Sequence, residues 1–298
     1  MAGTGPHGWL ILDKPRGLGS TQAVGAVKRV LRAGGHGKVK VGHGGTLDPL
    51  AEGVLPIALG EATKLAGRML DASKTYAFTI TFGEQTATLD TEGEVVATSD
   101  HRPTLADVQA VLPRFTGAIE QVPPAYSALK VDGRRAYDLA RSGEEVELAM
   151  RAVTIHGLDL LECGPDHATL LAHVSKGTYI RSLARDIAHA LGTVGHVTFL
   201  RRNQAGPFVQ DQAISLDILE EIGEGAPLED HLLPLEAGLD GIPALNLSPE
   251  DAQAVRQGRV LSGQPQADGL HLARLGTVPV ALVEIAGGTM TVVRGFNL

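Results

Sequence analysis

The segment from Val41 to Lys64, VGHGGTLDPLAEGVLPIALGEATK, holds one aspartate, Asp48, between closely spaced glycines and a proline. Pro49 has no N–H and disfavours a helical conformation at the residue before it, while the glycines permit close backbone approaches. A carboxylate presented on such a turn could act as a nucleophile, because it can form a covalent intermediate and then leave. The alternative is an Asx turn, in which the Asp48 side chain bonds its own backbone.

Two further reactive side chains lie in periodic segments. Lys74 to Phe82 alternates in polarity, which predicts a strand with Tyr76 on an apolar face, and such a face is usually buried core. Thr178 is a suitable N-cap for a helix with an apolar stripe. That helix would carry Arg181 and, one turn later, Arg185, so the two guanidinium groups could point at the same place.

The remaining segments mix strands and helices without a regular βαβ alternation, which favours an α+β fold around a mixed sheet. Strands are predicted at Trp9 to Leu12, Ala168 to Val174 and Val194 to Leu200, and helices after Ser20, over Glu61 to Leu70, and after Thr104 with Leu105, Val108, Val111 and Leu112 inward. Val122 to Asp132 is predicted to be mostly loop. From Ile242 onward, a helix capped by Ser248 and short strands near 270–275, 278–285 and 290–294 predict a small β-rich module.

Composition excludes several classes of protein. The chain has 298 residues, is 43% hydrophobic and has one cysteine, Cys163, so an internal disulfide or a thiolate metal cluster is excluded. The 11 histidines are scattered, and a metal site is not expected. No apolar stretch is long enough to span a membrane and no signal peptide is recognisable, so we expect a cytoplasmic protein.

The net charge of −8 is unusual for a protein that binds a polyanion, because phosphate contacts normally require Lys and Arg. The acidic excess lies in the tail: residues 209–298 carry 4 basic and 13 acidic side chains, and residues 1–208 are nearly neutral. Basic residues cluster within 28–40, 130–135, 181–185 and 201–202. Each cluster is either a solvated surface or an RNA contact.

The motifs together resemble the TruB family, the tRNA pseudouridine-55 synthases. The Asp48 segment matches the family signature at Gly42-His43, Gly45 to Pro49, Ala51, Gly53, Leu55-Pro56, Gly60 and Ala62 to Lys64. Other family motifs are similar to LDKP with Lys14-Pro15, KTY from Lys74, PPAYSALK from Pro123 to Lys130, SKGTYIRSL from Ser175 to Leu183, and FLRR from Phe199 to Arg202. The likeness is strong over the first two thirds of the chain and weak in the tail.

This resemblance implies a fold and an activity. The expected fold is a pseudouridine synthase catalytic domain, residues 1–240, with a mixed, mainly antiparallel sheet flanked by helices and an RNA-gripping thumb at about 123–150. A PUA-like domain is expected at 241–298. The expected enzyme isomerises uridine 55 in the T-loop of tRNA, needs no cofactor and acts on a flipped-out base. We expect a monomer whose partner is tRNA, with no obligatory protein partner.

The resemblance also implies roles for individual residues. Asp48 would be the nucleophile, Arg181 would pair with it, and Tyr76 would stack on the target uracil. The expected substrate and RNA contacts are His43, which fills the space left by flipped bases, and Tyr179, Leu200, Asp90, Lys14, Lys130 and Arg134. Two positions depart from the family pattern: Ala87 replaces an aspartate, and Gly44 follows the histidine.

Three other functions compete with this one. A non-catalytic tRNA-binding or tRNA-folding module would not need Asp48, Tyr76 and Arg181 together. A guide-RNA-dependent synthase shares the GTLDP motif, but Leu50 and the acidic tail favour the stand-alone bacterial type. A glycoside or nucleoside hydrolase would use Asp48 with Glu52 or Asp90 and would release free uracil.

Overall fold

The computed structural model describes residues 5–127, 129–131, 133–143, 146 and 148–298. The strands in these ranges are β1 (Gly8–Lys14), β2 (Val41–His43), β3 (Glu52–Leu59), β4 (Lys74–Phe82), β5 (Glu84–Thr86), β6 (Val95–Thr98), β7 (Gly117–Gln121), β8 (Lys130–Val131), β9 (Arg134–Arg135), β10 (Arg151–Cys163), β11 (His167–Val174), β12 (Gly195–Ala205), β13 (Phe208–Val209), β14 (Leu232–Leu233), β15 (Ala244–Asn246), β16 (Gly269–Leu275), β17 (Val278–Ala286) and β18 (Thr289–Gly295). The helices are α1 (Ser20–Ala33), α2 (Ala66–Asp71), α3 (Leu105–Val111), α4 (Ala136–Arg141), α5 (Ile180–Ala190), α6 (Leu216–Gly223) and α7 (Pro249–Arg256).

The large sheet is mixed and mainly antiparallel, as predicted. Its strand order is β14-β1-β3-β12-β4-β11-β10-β7, with β2 added to β3 and β13 to β12. Strands β3 and β12 pair in parallel, with Gly53 opposite Arg202. A Cβ on Gly53 would lie 2.3 Å from the Arg202 carbonyl oxygen, and its φ is +103°. Only glycine lets the two strands approach this closely.

Apolar side chains cover this sheet on both faces. One cluster packs α1 and α5 on the central strands through residues such as Val27, Leu55 and Leu183. The other surrounds Trp9, whose indole N–H donates to the Leu235 carbonyl at 3.1 Å. Burial of these apolar surfaces is the main contribution to folding stability.

The chain ends in the predicted small β-rich unit. Strands β15 to β18 form a separate four-stranded sheet with α7 against it, and Ser248 caps α7 as predicted. This sheet also packs on the large one, because Leu272, Leu282 and Phe296 join the Trp9 cluster. Within the described ranges, no helix is long and apolar enough to cross a membrane.

Some local predictions were wrong. The N-cap of α5 is Tyr179, whereas Thr178 donates its hydroxyl to the Ser175 carbonyl. Leu105 is 51% exposed, although Val108, Val111 and Leu112 are buried as expected. Strands β7 and β10 were not predicted. Strand β7 is the edge strand of the sheet and β10 lies next to it. Burial alternates incompletely in both strands, so the hydrophobic period is weak.

Candidate active site

The loop that carries Asp48 joins β2 to β3 and is fixed by side chains from outside it. Ser20, the first residue of α1, accepts a hydrogen bond from the Leu47 N–H at 2.8 Å and donates to the Leu47 carbonyl at 2.9 Å. Arg202, from β12, donates to the Gly45 carbonyl at 3.1 Å and to the Val54 carbonyl at 2.8 Å. Both side chains are buried, so these bonds satisfy backbone groups that water cannot reach.

Lys14 holds the other end of the same loop. Its ammonium group donates to the carbonyls of Leu18 at 2.6 Å, Pro15 at 3.0 Å and Pro49 at 3.5 Å. Burial lowers the pKa of Lys14 to about 8, although the Asp48 carboxylate nearby opposes this shift. The residue is 0% exposed. The structure thus places Lys14 inside the protein, where it supports the Asp48 loop, and its expected contact with substrate or RNA stays a prediction.

Asp48 forms an ion pair with Arg181. The distance from Asp48 Oδ2 to Arg181 Nη2 is 2.8 Å, and the two side chains are 38% and 6% exposed, respectively. In the described part of the chain, the Asp48 carboxylate accepts no hydrogen bond from its own loop; the turn is closed by the Ala51 N–H and the Asp48 carbonyl at 3.0 Å. The Asx turn is therefore not formed, and the arginine orients an accessible carboxylate.

Asp90 lies behind Arg181 and is 2% exposed. Its Oδ2 is 3.8 Å from Arg181 Nη1, and its Oδ1 accepts hydrogen bonds from the Thr88 hydroxyl and the Glu92 N–H. Arg181 Nη1 also donates to the Thr88 carbonyl at 2.9 Å. Asp90 therefore lies where it can orient the arginine, and its expected contact with substrate or RNA stays a prediction.

The Asp48–Arg181 pair lies in a cavity of about 110 Å³. Tyr76, Tyr179 and Leu200 line this cavity together with the ion pair. The predicted strand β4 is confirmed, but Tyr76 is half-buried at the cavity and not part of the closed core. Leu200 is 5% exposed and supplies an apolar wall from β12. A planar ring, an apolar wall and an oriented carboxylate are suited to holding a heterocyclic base.

A buried glutamine that the sequence did not single out positions Tyr179. Gln121 accepts a hydrogen bond from the Tyr179 N–H at 2.8 Å and donates to the Tyr179 carbonyl at 3.1 Å. Burial raises the pKa of the Tyr179 phenol, so this hydroxyl stays protonated at neutral pH. Residues 121 and 179 are remote in sequence, and only the packing of β7 against the start of α5 brings them together.

His43 lies outside the residues that line the Asp48 cavity. It ends strand β2 opposite Ile57, whereas the sequence suggested an accessible loop residue. The imidazole is half-buried, and its Nδ1 is buried with no hydrogen-bond partner among the residues that the structure describes. Burial, with the nearby Arg202 cation, lowers the pKa of His43. The side chain is therefore neutral at physiological pH.

The thumb residues lie apart from the cavity. Lys130 and Arg134 belong to the short β8–β9 hairpin, and both are exposed. Part of the expected thumb (residues 128, 132, 144, 145 and 147) lies outside the described residues. Arg185 donates to Asp186 at 2.8 Å and to the Val122 carbonyl at 3.0 Å. It therefore does not join Arg181 at Asp48.

Ser20 and Arg202 are site residues whose role sequence reasoning missed. Ser20 is a serine at a helix start, and Arg202 is one of a basic pair that resembles an RNA contact. Nothing local indicates that either bonds the Asp48 loop, because their partners lie 27 and 157 residues away. Within the described ranges, no three His, Cys, Asp or Glu side chains are arranged to hold a metal ion.

Comparisons with known proteins show which family the chain belongs to. Residues 28–180 fit the model of the TruB family pseudouridylate synthase (N terminal domain), and residues 181–240 fit the tRNA pseudouridylate synthase B C-terminal domain. The tRNA pseudouridine synthase B of Novosphingobium aromaticivorans is 70% identical over 98% of this chain and 97% of its own length. The chain belongs to the TruB family. The resemblance inferred from the motifs is thus confirmed, and with it the assignment as a pseudouridine synthase.

Two further relatives agree with this membership. The tRNA pseudouridine synthase B of Zymomonas mobilis is 58% identical over 98% of this chain and 96% of its own length. A solved structure, an H/ACA RNP bound to a substrate RNA containing 2'-deoxyuridine, contains a chain that is 25% identical, with a TM-score of 0.74. The match covers 97% of this chain and 85% of that chain. The α+β synthase fold is therefore shared between this TruB family member and a chain of an RNA-containing assembly.

Proposed function

We propose that this protein converts uridine 55 in the T-loop of tRNA into pseudouridine, with Asp48 as the nucleophile. The observation that carries the proposal is the 2.8 Å ion pair between Asp48 and Arg181 at a cavity lined by Tyr76 and Leu200. The names of the relatives, tRNA pseudouridine synthase B, support tRNA as the substrate. The position within tRNA rests on the family resemblance.

The reaction breaks the N1–C1′ bond, turns the uracil and joins C5 to C1′. The uridine first leaves its stack, because an enzyme cannot reach these atoms in structured RNA. The Asp48 carboxylate then forms a covalent bond either to C1′, displacing N1, or to C6 of the uracil. In the first route the carboxylate leaves C1′ as C5 attacks it, and in the second it leaves C6 after the C5–C1′ bond has formed. In both routes C5 loses a proton and N1 gains one. No electrons are exchanged, so the chemistry requires no redox cofactor.

The surrounding residues have separate tasks in this proposal. Arg181 keeps Asp48 ionised and aimed, because a charge-assisted hydrogen bond favours the carboxylate over the carboxylic acid. Tyr76 stacks on the uracil and Leu200 supports its other side. Tyr179 contacts the target nucleotide at the cavity edge. Asp90 holds the guanidinium from behind, so that Arg181 does not follow the carboxylate when Asp48 attacks.

RNA binding outside the cavity is assigned to two exposed basic residues of the thumb and to His43. Lys130 and Arg134 on the β8–β9 hairpin are the proposed phosphate contacts of the thumb, and His43 is proposed to occupy the space left by the flipped bases. We also propose a catalytic domain at 1–240 and a C-terminal domain at 241–298. The end of the second family match at residue 240 supports this boundary.

The test uses tRNA transcripts labelled with tritium at C5 of uridine. Asp48→Asn is expected to abolish tritium release while tRNA binding stays close to wild type, because the amide is nearly the same size but is not a nucleophile. Asp71→Asn is the matched control, since Asp71 is an exposed aspartate paired with Lys176. Mapping of pseudouridine in the product identifies the position. Near wild-type turnover by Asp48→Asn, or a product modified elsewhere, would contradict the proposal.

The same tRNA transcripts distinguish the proposed function from two alternatives. A two-carboxylate hydrolase is disfavoured, because neither Glu52 nor Asp90 lines the Asp48 cavity and Glu52 pairs with Arg201 at 3.2 Å. Free uracil among the products would reverse this judgement. A guide-RNA-dependent synthase would be inactive on tRNA alone. We expect the pure protein to modify tRNA as a monomer, without a guide RNA or a protein partner.

A further inference from the structure

A groove of about 610 Å³ lies at the end of the large sheet that is away from β1. One wall is formed by α3 and the turn that follows it, with Gln109 and Leu112. The other wall is strand β10, with Leu158, Asp159 and Leu160. Among the described residues, the groove and the active-site cavity have no lining residue in common. None of the roles proposed above involves this groove.

Strand β10 has an open edge along the groove. It pairs with β11 from Ile155 to Cys163, but with β7 only from Arg151 to Ile155. Within the described ranges, the stretch from Gly157 to Cys163 therefore has a strand neighbour on one side only. The backbone N–H and C=O groups that face away from β11 are free to pair with another strand. An extended chain segment is the ligand that satisfies such an edge.

The side chains along this edge define the pattern of a matching strand. Leu158 and Leu160 pack against the hydrophobic core, whereas Asp159 between them is exposed and has no ion-pair partner among the described residues. Because successive side chains of a strand point to opposite faces, an added strand would place alternate side chains beside the two leucines and the others beside Asp159. Apolar residues suit the first positions, and Lys or Arg suits the second.

Two exposed leucines extend the apolar part of the groove. Leu105 lies one turn before Gln109 on α3 and is 51% exposed. Leu161 follows Leu160 at an irregularity in the β10–β11 register and is 56% exposed. Neither side chain belongs to a hydrophobic cluster of the described chain. Large apolar side chains that stay exposed on both sides of a groove are typical of an interaction surface.

The charge of the edge selects among possible occupants. Antiparallel pairing of two copies of this chain along the edge would bring the exposed carboxylates Asp159 and Glu162 of one copy close to those of the other. Such like-charge contacts are destabilising. RNA is disfavoured for the same reason, because its phosphates would meet these carboxylates. A different protein chain that carries cations is the occupant that fits.

We propose that the groove between α3 and β10 binds an extended segment of another protein, which adds a strand to the edge of the sheet. Its apolar side chains would cover Leu158 and Leu160, and a Lys or Arg between them would pair with Asp159. This inference is independent of the proposed function. Because the groove and the active-site cavity are separate, the protein segment and the tRNA can be bound at the same time.

The experiment follows amide hydrogen exchange of the full chain by mass spectrometry during titration with a synthetic peptide. The probe is a seven-residue peptide with blocked ends in which valine alternates with lysine. It should slow exchange within residues 157–163, because strand addition protects the amides of the open edge. Two control peptides should leave exchange there unchanged: one has glutamate in place of lysine, and in the other two internal valines are replaced by proline, which has no N–H.

Charge reversal tests the role of Asp159. Asp159→Lys should weaken binding of the lysine peptide by about 2- to 30-fold, the range expected when one exposed ion pair becomes a like-charge pair. The same variant should gain binding of the glutamate peptide. Glu284→Lys, which reverses the charge at an exposed strand position of the C-terminal sheet, is the matched control and should bind both peptides as the wild type does. Both variants should convert tRNA at the wild-type rate.

Several results would overturn the inference. Unchanged exchange at residues 157–163 at every concentration of the lysine peptide would do so. Equal effects of the lysine and proline-containing peptides would also do so, because they would indicate charge attraction without strand addition. Slower exchange that depends on protein concentration alone would identify a second copy as the occupant, and slower exchange with T-stem-loop RNA alone would identify RNA; either result would replace the proposed partner.

Discussion

Ser20→Ala tests whether the Asp48 loop must be held in place for catalysis. The substitution removes one hydroxyl that accepts from the Leu47 N–H at 2.8 Å and donates to the Leu47 carbonyl at 2.9 Å. Ser20 is 4% exposed and Leu47 is 3% exposed, so water does not replace these bonds without local rearrangement. An unpaired buried polar group costs about 1–3 kcal/mol. The Leu47 N–H and carbonyl are both left unpaired, so the loss of unfolding free energy should be about 2–6 kcal/mol, less where the loop relaxes.

The same relaxation moves Asp48, the residue after Leu47. Misplacement of a reacting group by about 1 Å can lower a rate by about 100-fold, so we expect kcat to fall by about 10- to 100-fold. The dissociation constant for tRNA should change little, because Ser20 lies inside the protein. Single-turnover tritium release separates the chemical step from binding, and urea unfolding gives the stability. Thr193→Val is the matched control, since it removes a buried hydroxyl that donates to the His101 carbonyl at 2.9 Å.

The comparison with Thr193→Val decides between positioning and general destabilisation. If both variants lose stability but only Ser20→Ala loses kcat, the loop contact positions the nucleophile. A wild-type kcat in a Ser20→Ala protein that has lost the expected stability would refute the reasoning, because the Asp48 carboxylate would then keep its place without the anchor.

Three further outcomes are expected. Gly238→Ala should destabilise the fold by about 1–3 kcal/mol in thermal unfolding, because the added Cβ would lie 2.6 Å from the Trp9 ring. Gly67→Ala is the control and should not destabilise the fold, because its added Cβ meets no neighbouring group within 4 Å. Equal effects of the two substitutions would contradict the steric explanation. The pKa of Lys14 is lowered from 10.5 to about 8 in the folded chain, so the unfolded chain binds its proton more tightly. Between about pH 8 and pH 10 the unfolding free energy of the wild type should rise by about 1.4 kcal/mol per pH unit relative to Lys14→Met, and a constant difference across urea unfolding curves would show that Lys14 does not titrate there. Affinity for tRNA should fall steeply with salt despite the acidic composition, and Lys130→Ala should lower the slope of log K against log salt by about one; an unchanged slope would show that Lys130 contacts no phosphate.

Local sequence patterns were sufficient to predict Asp48 as the nucleophile and β4 as a strand. Asp48 is identified by neighbours within a few positions, since a proline and several glycines shape the turn regardless of the rest of the chain. Strand β4 follows from an alternation that any sheet with one buried face requires. The family motifs extended these local readings to Arg181, Tyr179 and Leu200, and the structure brings all of these residues together around one cavity.

The burial of three charged residues could not be predicted from local sequence patterns. Lys14, Asp90 and Arg202 are each 2% exposed or less, yet charged residues of these types usually lie at the surface. They are tolerated inside because backbone carbonyls, a hydroxyl or a guanidinium pair with them, some from nearby residues and some from distant segments. Hydrophobic periodicity contains no information about such contacts, so the structural roles of these residues could not be predicted.

The sequence by itself therefore determined the family and the α+β class and singled out the proposed reactive groups, because these depend on residue type and short-range pattern. Tertiary structure alone decided what holds the reactive groups in place. Arg181 meets Asp48 across 133 positions of the chain, and Ser20 meets Leu47 across 27. Such pairs form only when strands and helices pack in one particular arrangement, since the direction and burial of a side chain depend on neighbours that are remote in sequence.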